Sequence, residues 1–152
     1  MTLRKALYSL LAALAFHAGS AVAGSANAPF TLGSGHVVRM TRADAAYAAD
    51  TGKPMVGLVY RSDFKMPQSQ ADVDRVEKEL DADTQEICDR YAQHAIDTVR
   101  AVFPGVPFDE VGIVLETVTG HQGDTELTEQ WTGIFHLTGN KCGARVKDKP
   151  AK

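Results

Sequence analysis

Four histidines and two cysteines are the residues whose types could carry chemistry in the main body of this 152-residue chain. The histidines are His36, His94, His121 and His136, and none of them stands in H-x-x-x-H or H-E-x-x-H spacing, the patterns that place two imidazoles on one helical face toward a metal. His121, Asp124 and Glu126 share the segment GHQGDTE, which offers one nitrogen and two carboxylate ligands to a cation. That density is below a calcium loop's, so a solvated turn is the competing expectation. His36 and His136 fall in strand-like runs and are candidate neighbours across a sheet. The candidate functional residues are therefore His36, His121, Asp124, Glu126 and His136. No G-x-S-x-G occurs, and Ser34, Ser62 and Ser69 lie in turn-like surroundings, so no activated nucleophile is marked. The sequence assigns no catalytic, cofactor-binding or metal-ligating residue and no cofactor.

Cys88 and Cys142 carry a different chemistry. They lack the C-x-x-C spacing of redox pairs, and two cysteines in an exported chain most often join. A structural disulfide between them is expected. Export itself is read from the first 23 residues: Arg4 and Lys5, then the apolar run Ala6–Phe16, then the Ala21-Val22-Ala23 cleavage pattern. The apolar run is too short to span a bilayer, and a periplasmic or secreted location follows, with no membrane association after cleavage. The remainder, Gly24–Lys152, is 129 residues; losing Arg4 and Lys5 leaves 14 basic against 19 acidic residues, a net of −5. That balance argues against nucleic acid as a partner.

The elements that must position these residues are read from periodicity. Residues 24–34 are expected as a flexible lead-in, 35–143 as one domain, and 144–152 as a disordered basic tail. His36–Met40 reads as a strand. Thr41–Asp50, TRADAAYAAD, reads as a short helix closed by Gly52 and Pro54. Met55–Tyr60, MVGLVY, is a strand buried on both faces. Ser69–Phe103 is the longest run free of Gly and Pro; Val76, Leu80, Ile87, Tyr91, Ala95 and Val99 form one helical stripe, with Cys88 beside it. A single helix of this length is long for the domain, so a kink or restart is expected near Asp81–Asp83. Glu110–Val118 and Gln130–Leu137 are two further strands, joined by the turn-rich loop Thr119–Thr128.

The predicted fold is α+β: a four-stranded antiparallel or mixed sheet against a long, kinked helix and one short helix, in the order β-α-β-α-β-β. Thr41–Tyr60 resembles the lead-in to the first central strand of thioredoxin-like domains, but Arg61–Met66 has no cysteine to supply their activity. The acids from Asp72 to Asp97 make either a solvated helix face or a docking surface for a basic partner. Size, export, the absence of a catalytic motif and the acidic helix together point to a non-enzymatic binding protein, in one form an inhibitor or immunity-type partner of another exported or envelope protein. A small hydrolase or metal-dependent enzyme is the alternative. A small-molecule carrier with its pocket around Tyr91, Trp131 and Phe135 is a third.

Overall fold

The computed structural model describes residues 28–146. The fold is mixed α+β, with six strands and two helices where four strands were expected. The strands are β1 (Phe30–Thr31), β2 (Val37–Tyr47), β3 (Pro54–Ser62), β4 (Glu110–Gln122), β5 (Thr125–Thr138) and β6 (Lys141–Arg145). They lie side by side in chain order in one curled sheet. Every neighbouring pair is antiparallel except β3 and β4, which run parallel from Val56↔Val111 to Arg61↔Glu116. A parallel pair cannot be closed by a hairpin and needs a crossover. Helices α1 (Gln70–Arg90) and α2 (Gln93–Val102) supply it.

Both helices pack on the same face. Val56, Leu58 and Tyr60 of β3, Val111, Ile113 and Leu115 of β4, and Phe135 of β5 meet Val76, Leu80, Ile87, Ala95, Ile96 and Val99 in one core. Gly133 lets α1 approach closely, because a Cβ there would stand 2.7 Å from the Thr84 hydroxyl oxygen. On the opposite face Ala46, Ala48 and Met55 form a small second cluster with Ile134. Val59 and Val114 are also buried on that face. This explains why MVGLVY is continuously apolar.

The segment expected as a short helix, Thr41–Asp50, is instead most of β2 and the turn after it. Alanine favours helix only weakly, and six register positions shared with β3 override that preference. Ala43 and Ala45 face the main core while Ala46 joins the second cluster, so their small size suits a strand covered on both sides. Gly52, with φ of +65°, closes the β2–β3 turn by donating to the Ala48 carbonyl; it caps no helix. The resemblance to a thioredoxin-like lead-in fails at the same residues.

The long helix does break, but at Tyr91–Ala92 and not at Asp81–Asp83, which lie inside α1. Tyr91 and Ala92 both donate to the Ile87 carbonyl, and Ala92 is fully buried. The break turns the helical layer so that α1 lies over β4, β5 and β6 while α2 lies over β2 and β3. The segment expected as the loop Thr119–Thr128 is mostly strand. Part of the expected flexible lead-in is ordered too: Phe30–Thr31 pairs with β2, and Leu32 is buried. Ala144 and Arg145, expected in the tail, belong to β6. The expected leader Met1–Ala23, residues 24–27 of the expected lead-in and residues 147–152 of the expected tail lie outside the described residues.

The disulfide joins Cys88 of α1 to Cys142 of β6 across a sequence separation of 54, with Cα atoms 5.5 Å apart. That spacing is ordinary for a bridged pair. β6 is five residues long and pairs only with β5 among the described strands, so the bond anchors an otherwise lightly held edge. Gln93 and Arg100 of α2 add hydrogen bonds to the Asn140 and Gly139 carbonyls in the turn before it.

Candidate functional site

His36 does not meet His136. It precedes β2, whereas His136 lies on β5 opposite Glu110, with β3 and β4 between. The partners of His36 come from α1. Its Nδ1 is 2.6 Å from the Asp83 carboxylate and its Nε2 is 3.2 Å from Glu79. The Ser34 hydroxyl also approaches Nδ1, at 3.2 Å. One helical turn on, Glu86 accepts a hydrogen bond from the backbone N–H of Gly33. Glu79, Asp83 and Glu86 are spaced i, i+4, i+7, so they project from one face of α1 toward the tight turn between β1 and β2.

That arrangement clamps a turn to a helix. In a serine hydrolase the base offers one nitrogen to the nucleophile and the other to its orienting carboxylate. Here Ser34 and Asp83 share one nitrogen, and Glu79 stands at the other. The division of the two nitrogens between nucleophile and carboxylate that such a triad requires is therefore not present. Asp83 is only 2% exposed, so its burial is offset by the His36 contact.

His121, Asp124 and Glu126 sit together at the end of a long two-stranded ribbon. β3 covers β4 only as far as Glu116. Beyond it, among the described strands, β4 and β5 pair only with each other, through Gln122↔Thr125. Gly123, with φ of +60°, followed by Asp124 makes the two-residue turn, a Gly-first hairpin connection. A bulge falls between Val118 and Gly120 on β4. All ten residues from 121 to 130 are exposed, including Leu127. From the end of β3, Arg61 reaches Glu126 near the ribbon's tip at 2.9 Å and Glu116 at its root at 3.5 Å, and Gln130 donates to Glu116. Glu126 is thus held by a guanidinium. Among the described residues no group of three His, Cys, Asp or Glu side chains is placed to hold a metal ion.

The ribbon is acidic as well as exposed. No Lys or Arg occurs between Arg100 and Lys141, while Asp109, Glu110, Glu116, Asp124, Glu126 and Glu129 fall within that span. The acids of α1 are less free than the sequence suggests. Asp81 accepts from the Trp131 indole N–H at 3.1 Å and meets Arg145 at 2.6 Å. With Glu79, Asp83 and Glu86 engaged on the β1–β2 turn, four of the helix acids serve the fold.

The carrier reading meets a different geometry. Phe135 is fully buried in the core and Trp131 is bonded to Asp81, so neither opens on a pocket. A cleft of about 450 Å³ lies instead beside α2, lined by Pro29, Phe30, Met40, Tyr60, Tyr91 and His94, among others. Phe30 stacks on Tyr91 with ring centroids 3.9 Å apart. Burial pushes the Tyr60 phenol above its ordinary range.

Sequence reasoning missed Glu79 and Asp83 as partners of His36, and it missed the ribbon. The i, i+4, i+7 carboxylates next to the apolar stripe were the available sign of the first. The alternating residues of Thr125–Gly133, continuous with the last strand, were the sign of the second. Compared with family models, curated proteins and solved structures, the chain matches none. Among the described residues no helix is long and apolar enough to cross a membrane.

Proposed function

We propose that this chain is a small exported, disulfide-linked protein that acts by binding another exported or envelope protein, with the β4–β5 ribbon as its contact element. The observation that carries this reading is the ribbon itself. A two-stranded arm that projects past the sheet and contributes nothing to either core has no evident structural reason to be so long. Its acidic character suits a partner that presents positive charge. An inhibitor or immunity-type role is one form of the reading, in which the arm enters the cleft of an exported enzyme.

The test uses a shortened ribbon. Thr117 and Glu129 are register partners whose backbone groups face each other, so an Asn-Gly turn in place of Val118–Thr128 closes the hairpin without touching the core. The intact mature chain, cross-linked among envelope and secreted proteins, should capture a discrete partner that the shortened chain loses at unchanged thermal stability. Equal capture by both chains would refute the assignment to the ribbon. Capture of nothing by either would count against binding as the function.

The cleft beside α2 supports a second reading, a carrier of a small apolar molecule. Its volume and aromatic lining are those of small-ligand sites. An apolar dye whose fluorescence responds to the wild-type chain but not to Ala95→Trp, which fills the cleft, would favour it.

A further inference from the structure

We infer that the outer edge of β5, from Glu126 to Thr132, receives an extended Lys/Arg-bearing strand of the partner protein; this rests on the binding reading above. The orientation of the edge follows from one hydrogen bond. Val146 donates its N–H to the Ile134 carbonyl at 2.8 Å, on the β6 side of β5. Backbone groups alternate in direction along a strand, so Thr132, Gln130, Thr128 and Glu126 also turn their N–H and C=O outward. The intervening residues turn theirs to β4. β6 covers only the C-terminal part of β5, from Phe135↔Arg145 to Thr138↔Lys141. Among the described residues no strand pairs with the edge before it.

Natural sheets blunt such an edge with charges, Lys above all, with Pro or with a bulge. Thr125–Gly133 contains no Lys and no Pro, its bulge lies on β4, and its two charges, Glu126 and Glu129, repel acidic strands but not basic ones. The edge is extended, regular and open, the form that accepts an added strand.

The molecule's own use of this edge indicates the chemistry of the guest. Where β6 pairs with β5, Arg145 is laid across onto α1, meeting Asp81 at 2.6 Å and donating to the Thr84 hydroxyl at 3.3 Å. Asp74 and Glu77 precede Asp81 by seven and four residues and so share its helix face, where the single cation Lys78, three residues before Asp81, leaves the acids in excess. The contacts Thr84–Gly133 and Asp81–Trp131 show that lower-numbered residues of α1 lie toward lower-numbered residues of β5. A strand continuing along the edge therefore meets Asp74 and Glu77 on one side and Glu129 on β5. Basic side chains at alternate positions fit that margin. A second copy of this chain would set these acids against their own counterparts, which is unfavourable.

The test is amide hydrogen exchange by NMR on the full mature chain, with a synthetic octapeptide of alternating Lys and Val as probe and its Pro-for-Val counterpart as control. The Thr128, Gln130 and Thr132 amides should exchange freely in the unbound protein and slow about tenfold with the Lys-Val probe alone. Leu127 and Glu129 should be unchanged, and Glu77→Lys/Glu129→Lys should abolish the slowing. Free exchange at the even-numbered amides with the probe present overturns the proposal. Slow exchange before the probe is added also overturns it, by giving the edge to residues 147–152 of the same chain. So does slowing that grows with protein concentration, which assigns the edge to a second copy. Capture that still depends on the ribbon while these amides stay free in the complex sinks the strand mode and leaves the binding reading standing. Absence of capture sinks the binding reading on its own.

Discussion

Reducing the Cys88–Cys142 bond should lower thermal stability by an amount set by the loop it closes. The bridged residues are 54 apart in sequence. In the chain-entropy model a loop of that size removes roughly 14 cal/mol/K from the unfolded ensemble, about 4 kcal/mol at room temperature. A domain of the described size unfolds with an entropy near 250 cal/mol/K, so 4 kcal/mol corresponds to a fall in Tm of about 15 °C. Comparing oxidised and reduced wild-type protein is the clean measurement. Cys88 is buried in the core, and substituting it would add a packing loss to the effect. Calorimetry with and without reductant, with thiol content checked by mass before and after alkylation, gives the difference directly. A fall of only about 2 °C on full reduction would refute the reasoning, because the unfolded chain would then gain little freedom from losing the bond.

Three further outcomes follow from particular contacts. Gly133→Ala should cost about 2 kcal/mol in urea denaturation, because its Cβ meets the buried Thr84 and the Phe135 ring at 2.7 and 2.8 Å. Gly112→Ala should cost about 1 kcal/mol or less, since the only atom as close is the flexible terminal methyl of Met55; equal losses would contradict the geometry. Asp83→Ala should lose about 2 kcal/mol and His36→Gln a similar amount, and a double-mutant cycle should return most of either loss as coupling. Additive effects would mean that the two do not act as one clamp. Tyr60 should make the fold sensitive to alkali. Its buried phenol releases its proton above the ordinary value of 10. The unfolded chain therefore ionises first, and stability present below about pH 10 falls by about 1.4 kcal/mol per unit above it. Tyr60→Phe should remove that component, and identical alkaline slopes in the two proteins would count against it.

Much of the architecture was legible because burial leaves a period. The stripe of Val76, Leu80, Ile87, Ala95 and Val99 and the run MVGLVY stand out in one dimension, and so does the cysteine pair beside them. Thr41–Asp50 was illegible for a physical reason. Its alanines report a weak local preference, while the six positions it shares with β3 exist only once the chain has folded back. The break at Tyr91–Ala92 likewise answers the curl of the sheet, which no local pattern encodes. Asp83 read as a helix restart because an acid followed three residues on by Glu86 has the capping-box form; its actual partner is His36, 47 residues away. The ribbon was hidden because turn-forming residues such as Gly120, Gly123 and Asp124 also suit a two-stranded arm with one bulge and one tight turn. Grouping His121, Asp124 and Glu126 named three residues that the fold does hold together at one end of the ribbon. Pairing His36 with His136 named two that β3 and β4 keep apart.

The central claim is that the β4–β5 ribbon is where this protein meets its partner. A photo-reactive side chain at Thr128, compared with one at the exposed Asp97 on α2, tests it most directly in the exporting cell. The account predicts one discrete cross-linked product of the mature chain from position 128 and none from position 97. No product from 128, or the same products from both positions, would contradict it.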